Sequence, residues 1–195
     1  MEIYNKARMF NKIASDPKNK AGEILDALGL KKGQRIADIG AGGGYFSLRF
    51  AELVGGKGCV YAVDTNPEFL EFIRKEAEKK QVGNLKTILV EKELILPKGS
   101  LDLIFLRNVC HHLLNRVEYF RKLRSLLKSD GRIVIIEYKP GGFFSFHTIF
   151  GHYVPQDVII KEMEEAGYRV ERKFDFLPEQ SFTIFKPRKE ARLAF

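Results

Sequence analysis

Four glycines and two carboxylates hold most of the chemical information in this chain. The stretch Arg35-Ile-Ala-Asp-Ile-Gly-Ala-Gly-Gly-Gly-Tyr-Phe-Ser47 runs from an apolar strand pattern into Asp38, then Gly40, Gly42, Gly43 and Gly44. A helical pattern resumes near Tyr45. Glycine adopts positive φ and lacks a Cβ, so the backbone turns sharply there and lets a ligand approach closely. A helix that begins directly after such a turn points unpaired N–H groups at whatever sits in it. A second acid, Asp64, closes the apolar run Cys59-Val-Tyr-Ala-Val-Asp64, twenty residues after Gly44. At the tip of a second strand, a carboxylate accepts hydrogen bonds from both hydroxyls of a ribose. Together these residues predict a nucleotide-type cofactor site.

Two kinds of glycine loop compete for that reading. In the dinucleotide fingerprint Gly-x-Gly-x-x-Gly, the third glycine lets the helix pack tightly against the strand. Counted from Gly40 and Gly42, that position is Tyr45, too large for the role. The pattern present is Asp38-x-Gly40-x-Gly42-x-Gly44. A carboxylate facing the loop is a poor neighbour for a pyrophosphate and a good one for a ligand with an ammonium and a sulfonium. Here the chain resembles the class I S-adenosylmethionine-dependent methyltransferases, whose first motif is an acid followed by Gly-x-Gly-x-Gly. Asp64 is a feature shared with nicotinamide enzymes, so it supports an adenosine ligand without choosing the family.

The resemblance covers roughly Lys32 to Lys186. Further stretches that carry it are Leu96-Pro-Lys-Gly-Ser-Leu-Asp102, Asn108-Val-Cys-His-His-Leu113 and Leu126-Leu-Lys-Ser-Asp-Gly-Arg-Ile-Val134. Small single-domain enzymes of the ubiquinone-biosynthesis and arsenite methyltransferase superfamily are the relatives it suggests. It implies S-adenosyl-L-methionine as cofactor, with S-adenosyl-L-homocysteine as product. By that likeness Asp38 and the backbone of Gly40, Ala41, Gly42 and Gly44 hold the methionine portion. Asp64 takes the ribose, Thr65 and Asn66 border the adenosine, and Arg107 and Asn108 line the floor after the fourth strand. Many relatives have Gly-Asp after the third strand to read the adenine. This chain has Val90-Glu91-Lys-Glu93, which leaves Glu91 as the substitute.

Methyl transfer is an in-line displacement, so the protein must align the reactants and exclude water. A general base is needed only for an acceptor that is protonated at its working pH. The candidates are His112, in Cys110-His-His112, and His147, in the insertion Tyr138–Tyr153, which also holds His152. Each histidine has a plainer reading as a ring that fills space or bonds backbone. The insertion is aromatic and glycine-hinged; it reads either as a substrate lid or as a cap on the sheet. Phe46 and Phe69 lie at helical spacing and read as core before cofactor contacts. A lone cysteine near the site, Cys110, makes an arsenic-methylating role weak. Cys59 and Cys110 have no metal-ligand spacing, and no metal is expected.

The elements that must position these residues alternate strand and helix, which implies an α/β layered fold. Strands are expected at Arg35–Ile39, Cys59–Asp64, Lys86–Val90, Leu101–Leu106 and Arg132–Glu137, with a final hairpin of Tyr168–Phe176 and Ser181–Lys186. A helix with Val117, Phe120, Leu123 and Leu127 on its inward stripe should end at Ser129-Asp-Gly131, and another should span Gln156–Ala166. The family likeness adds a seven-stranded, mostly parallel, Rossmann-like sheet in the order 3-2-1-4-5-7-6. The expected organisation is an N-terminal helical segment over residues 1–30, the methyltransferase domain over 31–187 and a basic tail over 188–195. Met9, Phe10 and Ile13 in the first segment fall at helical spacing.

Composition narrows the partners. The net charge of +8 is mostly interleaved with glutamates, as in Glu71-Phe-Ile-Arg-Lys-Glu-Ala-Glu-Lys-Lys80, which reads as a solvated helix face. A small-molecule acceptor is favoured over nucleic acid or protein. The Asp/Asn-Pro-Pro-aromatic tetrad of amino-methylating nucleic-acid enzymes is replaced by Arg107-Asn-Val-Cys110. A non-catalytic S-adenosylmethionine-binding module is the rival from another class, and a nicotinamide oxidoreductase ranks last. No apolar run approaches the roughly 20 residues of a membrane span, no secretory pattern opens the chain, and a reducing cytoplasm is expected. The oligomeric state is not legible.

Overall fold

A computed structural model of the protein describes residues 2–140 and 152–188. The strands are β1 (Arg35–Ile39), β2 (Cys59–Asp64), β3 (Leu85–Leu89), β4 (Leu101–Arg107), β5 (Leu127–Tyr138), β6 (Tyr168–Phe174) and β7 (Gln180–Pro187). They form one seven-stranded sheet in the order β3-β2-β1-β4-β5-β7-β6. The first five pair in parallel, while β7 runs antiparallel to both β5 and β6. This is the expected doubly wound sheet with its C-terminal hairpin.

Among the described residues six α-helices flank the sheet: α1 (Glu2–Ser15), α2 (Ala21–Leu28), α3 (Tyr45–Val54), α4 (Pro67–Lys79), α5 (Arg116–Arg124) and α6 (Gln156–Glu165). Side chains alternate between the two faces of a strand, so each strand feeds two cores. Ile36, Leu103, Phe105, Val134 and Ile136 pack with Phe46 and Phe50 of α3 and with α2. Ala37, Ile104, Leu106, Ile133 and Ile135 pack with Phe120 of α5 and Met163 of α6. Burial on both faces explains why β4 and β5 are nearly unbroken apolar runs.

Register brings the chemically interesting residues to one edge. Ile39 lies opposite Val63 on one side and Leu106 on the other, and Arg107 lies opposite Ile136. The carboxyl ends of β1, β2, β4 and β5 therefore stop together. A ligand crevice forms at such an edge, where strand order reverses between β1 and β4.

The largest boundary difference from the sequence expectation falls at the start of β5, where the strand begins at Leu127 instead of Arg132. The helix before β5 ends at Arg124, and Leu127 together with Ser129–Gly131 belongs to the strand. Leu127 pairs with Leu101 across a register shift, and Gly131 runs so close that a Cβ there would meet the Leu101 carbonyl at 2.8 Å. Pairing with β4 wins over another helical turn. The spacing of Met9 and Ile13 does give a helix, but both are exposed, and Ala7 is the buried residue of α1.

Candidate active site

The glycine loop is held by β2. Both Gly40 N–H and Ala41 N–H donate to the Val63 carbonyl, at 2.8 and 3.1 Å, and Gly44 N–H closes the turn onto the Ala41 carbonyl at 2.8 Å. Gly40, Gly42 and Gly44 sit at φ values of 72°, 54° and 79°, where a side chain would be strained. Asp64 Oδ2 accepts the Gly42 N–H at 2.9 Å and Oδ1 accepts the Asn66 N–H at 3.0 Å. Asn66 in turn caps α4, its side-chain oxygen accepting from Glu68 and Phe69 amides. The acid read from the sequence as a ribose ligand thus also ties the loop to β2.

Asp38 lies beside it, buried at the end of β1. Its Oδ2 accepts the Ser47 hydroxyl at 2.5 Å, and no cation pairs with it among the described residues. Burial raises its carboxyl to about 7; the Ser47 hydrogen bond opposes this and the neighbouring charge of Asp64 adds to it.

The helix α1 crosses over this loop. Asn11 Oδ1 accepts the Tyr45 N–H at 3.1 Å, so the first amide of α3 is capped rather than unpaired as its position in the sequence suggests. Gly43 passes under α1 so closely that a Cβ would lie 2.2 Å from the Ala7 carbonyl and 2.3 Å from Asn11 Oδ1. The Phe10 ring stands 3.3 Å from where a Gly42 Cβ would be, and packs edge-on against Phe69 of α4. Phe69 and Phe46 are both core residues.

At the end of β4, Arg107 and Asn108 are joined by a residue from β7. Gln180 accepts from Arg107 Nη2 at 3.0 Å and donates to Asn108 Oδ1 at 2.5 Å. Asn108 takes a left-handed φ of 57°, and the Arg107 guanidinium lies 5.1 Å from the centre of the Phe46 ring. Arg107 Nε is buried without a hydrogen-bond partner. Next in the chain, Val109 abuts Gly40, whose Cβ would meet it at 2.4 Å. Thr65 and Glu91 are exposed.

Cys110–His112 then form one turn of 3₁₀ helix. Glu137, fully buried at the end of β5, organises it: Oε2 accepts the Cys110 N–H at 2.8 Å, while Oε1 lies 3.0 Å from both His111 Nδ1 and the Tyr138 N–H. The His112 ring is 4.0 Å from that of His111, and His152 lies nearly parallel to His111 at 5.3 Å. Partial burial lowers the His112 pKa, helped by His111, His152 and, from α1, Lys6. Burial pushes the Cys110 thiol well up, and the Glu137 charge reinforces this, so it is no ready thiolate. His147 and most of the Tyr138–Tyr153 insertion lie outside the described residues.

Sequence reasoning picked out Asp38, the glycines and Asp64. It passed over Ser47, Asn11, Gln180 and Glu137. Glu137 had a usable signal, being an acid that closes the apolar run Ile133–Ile136, as Asp38 and Asp64 close theirs.

Comparison with known proteins supplies the family. The model of the methyltransferase domain matches residues 30–172, well over half the chain. The chain belongs to the class I S-adenosylmethionine-dependent methyltransferases. Among similar curated proteins, the ubiquinone/menaquinone biosynthesis C-methyltransferase UbiE of Yersinia enterocolitica is 27% identical over 146 residues, 68% of this chain and 58% of that protein. The enzyme of the same name from Vibrio vulnificus is 28% identical over 66% of this chain and 50% of its own length. This chain thus spans little more than half of these relatives. A crystal structure of a SAM-dependent methyltransferase from Aquifex aeolicus superposes with a TM-score of 0.80 at 23% identity, covering 91% of this chain and 96% of that one. The methyltransferase CalH, crystallised with S-adenosylhomocysteine, gives 0.64 over 79% of this chain and 51% of its own.

The residues present fit the methyltransferase cofactor. Burial raises the Asp38 carboxyl to about 7, the charge of Asp64 adds to this, and no cation pairs with it among the described residues. A ligand that brings an ammonium and a sulfonium relieves this, whereas a pyrophosphate aggravates it.

Proposed function

We propose that this methyltransferase acts on a small-molecule acceptor. When bound, S-adenosylmethionine supplies an electrophilic methyl carbon whose bond to sulfur breaks as the acceptor's lone pair attacks, its electron pair returning to sulfur. The chain's own residues then bind, orient and exclude water. Asp38 neutralises the cationic methionine end, and the backbone of Gly40, Ala41, Gly42 and Gly44 borders the methionine portion by close approach, its N–H groups being held by Val63, Asp64 and Ala41. Asp64 keeps a second lone pair on each oxygen for the ribose hydroxyls. Thr65, Asn66 and Glu91 border the adenosine, and Arg107 and Asn108 form the floor. Where a base is needed, the sequence marks His112 and His147 as candidates; His112 lies in the histidine turn after β4, and His147 lies outside the described residues.

One observation carries the reading: a buried carboxylate with no cation beside it among the described residues and positive-φ glycines converge at the β1–β4 switch point, and a histidine turn abuts them through Val109. The UbiE relatives, enzymes of ubiquinone and menaquinone biosynthesis, support a small acceptor. The domain reading is retained: residues 31–187 form the catalytic unit and residues 1–30 its helical cover. Incubation with methyl-labelled S-adenosylmethionine and separate metabolite, RNA and protein pools tests the proposal. Label is expected in a low-mass product; label confined to RNA or protein overturns it. Binding of the labelled cofactor without transfer to any pool favours the non-catalytic module.

A further inference from the structure

The histidine turn supports a sharper statement about the acceptor. Three groups converge on the two oxygens of Glu137. The backbone N–H groups of Cys110 and Tyr138 can only donate, and Tyr138 N–H shares Oε1 with His111 Nδ1. A carboxylate in that position is an acceptor, so His111 Nδ1 carries a proton and donates it. The neutral ring then has its lone pair on Nε2, on the side away from Glu137. An imidazole fixed in tautomer and orientation by a buried carboxylate is the arrangement that makes a histidine a proton acceptor. His112 has no such partner among the described contacts and is far more exposed than His111, whose side chain is 6% accessible.

Place matters as much as chemistry. The turn follows β4, Glu137 ends the adjacent β5, and Val109 touches Gly40 of the cofactor loop. The pair therefore sits one strand along from the cofactor crevice, on the sheet edge where an acceptor must enter. The groups that face it are Glu137 on β5, His112 in its own turn, His152 ahead of α6, and Lys6 on α1, which acts on His112. Arg116 of α5, paired with Glu162 of α6, lies near enough to feel the Glu137 charge. The nearly parallel rings of His111 and His152 stack rather than aim their nitrogens at a common point.

We propose that His111 is the general base of this methyltransferase and Glu137 its positioning residue, and that the acceptor is a hydroxyl or carbon acid. Resting on the function proposed above, this names the acceptor class. The acceptor gives its proton to His111 Nε2 as its oxygen or carbon bonds to the methyl, and the imidazolium passes that proton to water. An acceptor with a free lone pair and no proton to lose, a thioether or tertiary amine, has no use for such a pair.

The first test needs no turnover. Imidazole nitrogen NMR of the full chain loaded with S-adenosylhomocysteine should show His111 as the Nδ1–H tautomer at pH 8, and Glu137→Gln should abolish that preference. An Nε2–H tautomer in the wild-type chain overturns the proposal. If Glu137→Gln does not fold by circular dichroism, the wild-type tautomer and His111→Ala still decide the matter.

The second test follows label transfer into a metabolite extract as a function of pH. The rate should fall at low pH, as for any transfer that needs a free base. His111→Ala should lower it by about a hundredfold or more and remove that limb, the scale of general-base loss. Cofactor affinity by calorimetry should change less than about twofold, since the pair does not hold the cofactor. Glu137→Gln should displace the limb, because the ring loses the carboxylate oxygen that holds its Nδ1 proton; a purely structural role leaves the limb in place. His112→Ala should keep it. A limb that vanishes in His112→Ala and persists in His111→Ala overturns the assignment, as does a product methylated on a thioether or tertiary amine. If no metabolite is labelled, the proposed function fails while the tautomer still decides the pair.

Discussion

Asp38 and Glu137 are both buried acids that close a strand at the same sheet edge, yet their surroundings are opposite. Asp38 has only the hydroxyl and backbone amide of Ser47, and burial pushes its carboxyl to about 7. Glu137 collects two backbone amides and an imidazole nitrogen. Buried charge is tolerated where enough donors compensate it and is costly where they do not. The β1–β2 side is therefore incomplete without a cationic ligand, whereas the β4–β5 side is finished in advance and uses its acid to orient a ring. One half of the site waits for its cofactor; the other is preformed.

The strongest way to break that contrast is to titrate it. The folded carboxyl of Asp38 sits near 7 against 3.8 for its ordinary value, so between those limits the folded chain holds more protons than the unfolded one. Stability of the ligand-free protein then falls as pH rises from about 4 to about 7, by roughly 4 kcal/mol at 1.36 kcal/mol per pK unit. Asp38→Asn should flatten this part of the stability curve in urea melts. A cationic cofactor favours the ionised carboxyl, so its binding should release a proton below about pH 7, and affinity should climb with pH up to that point. Calorimetry in two buffers of different ionisation enthalpy reads the released proton directly. Identical heats at pH 6 would remove the claim that Asp38 is unfinished.

A smaller effect is expected at Gly43, where α1 is seated on the loop. Gly43→Ala places a methyl against the Ala7 carbonyl, which cannot yield without shifting the helix, and against Asn11 Oδ1, which can yield only by giving up the Tyr45 N–H. Overpacking of this sort costs about 1–3 kcal/mol. The measurement is the midpoint of denaturant unfolding, alongside cofactor affinity. A loss confined to affinity would mean that α1 rests on the loop loosely. Gly42 differs: its added Cβ meets only the Phe10 ring at 3.3 Å, so Gly42→Val should act mainly through its positive φ and through bulk on the cofactor side.

Asp64→Ala follows, weakening cofactor binding by about 1–3 kcal/mol, the range for losing hydrogen bonds to a charged group. It also strips the Gly42 and Asn66 amides of their acceptor, so loop order should decline with it. Asp64→Asn, which retains one acceptor oxygen, should fall between. If the two variants bind the cofactor as tightly as wild type, Asp64 serves the loop alone.

The same contrast explains what was legible in the sequence. β1 and β2 are consecutive in the chain and adjacent in the sheet, joined by one helix, so an acid at each strand end and glycines between them had to meet. Nothing comparable announces the second half. Gln180 reaches Arg107 and Asn108 only because β7 inserts between β5 and β6, an order supplied by the family likeness and not by hydrophobic pattern. Asn11 caps α3 from α1, whose seat over the loop no spacing in the sequence announces. The end of α5 was misplaced because Leu123 and Leu127 continue a helical stripe, and pairing of Leu127 with Leu101 is a tertiary fact. His112 stood out in the sequence as readily as His111; only the position of Glu137 separates them.

The smallest expected effect probes whether the two halves are separable at all. Arg116 grips Glu162 with two hydrogen bonds of 2.7 Å, joining the start of α5, just after the histidine turn, to the end of α6. Both side chains are about one-fifth exposed, which leaves the pair a modest stabiliser worth roughly 1 kcal/mol or less. Glu162→Gln should lower the melting temperature by a few degrees, in line with that loss. It should slow label transfer more than it weakens cofactor binding, because the clamp steadies the β4–β5 side and touches nothing around Asp38 or Asp64. Equal losses in transfer and in affinity would show that the preformed half and the waiting half share one support, and that the division between them is chemical rather than mechanical.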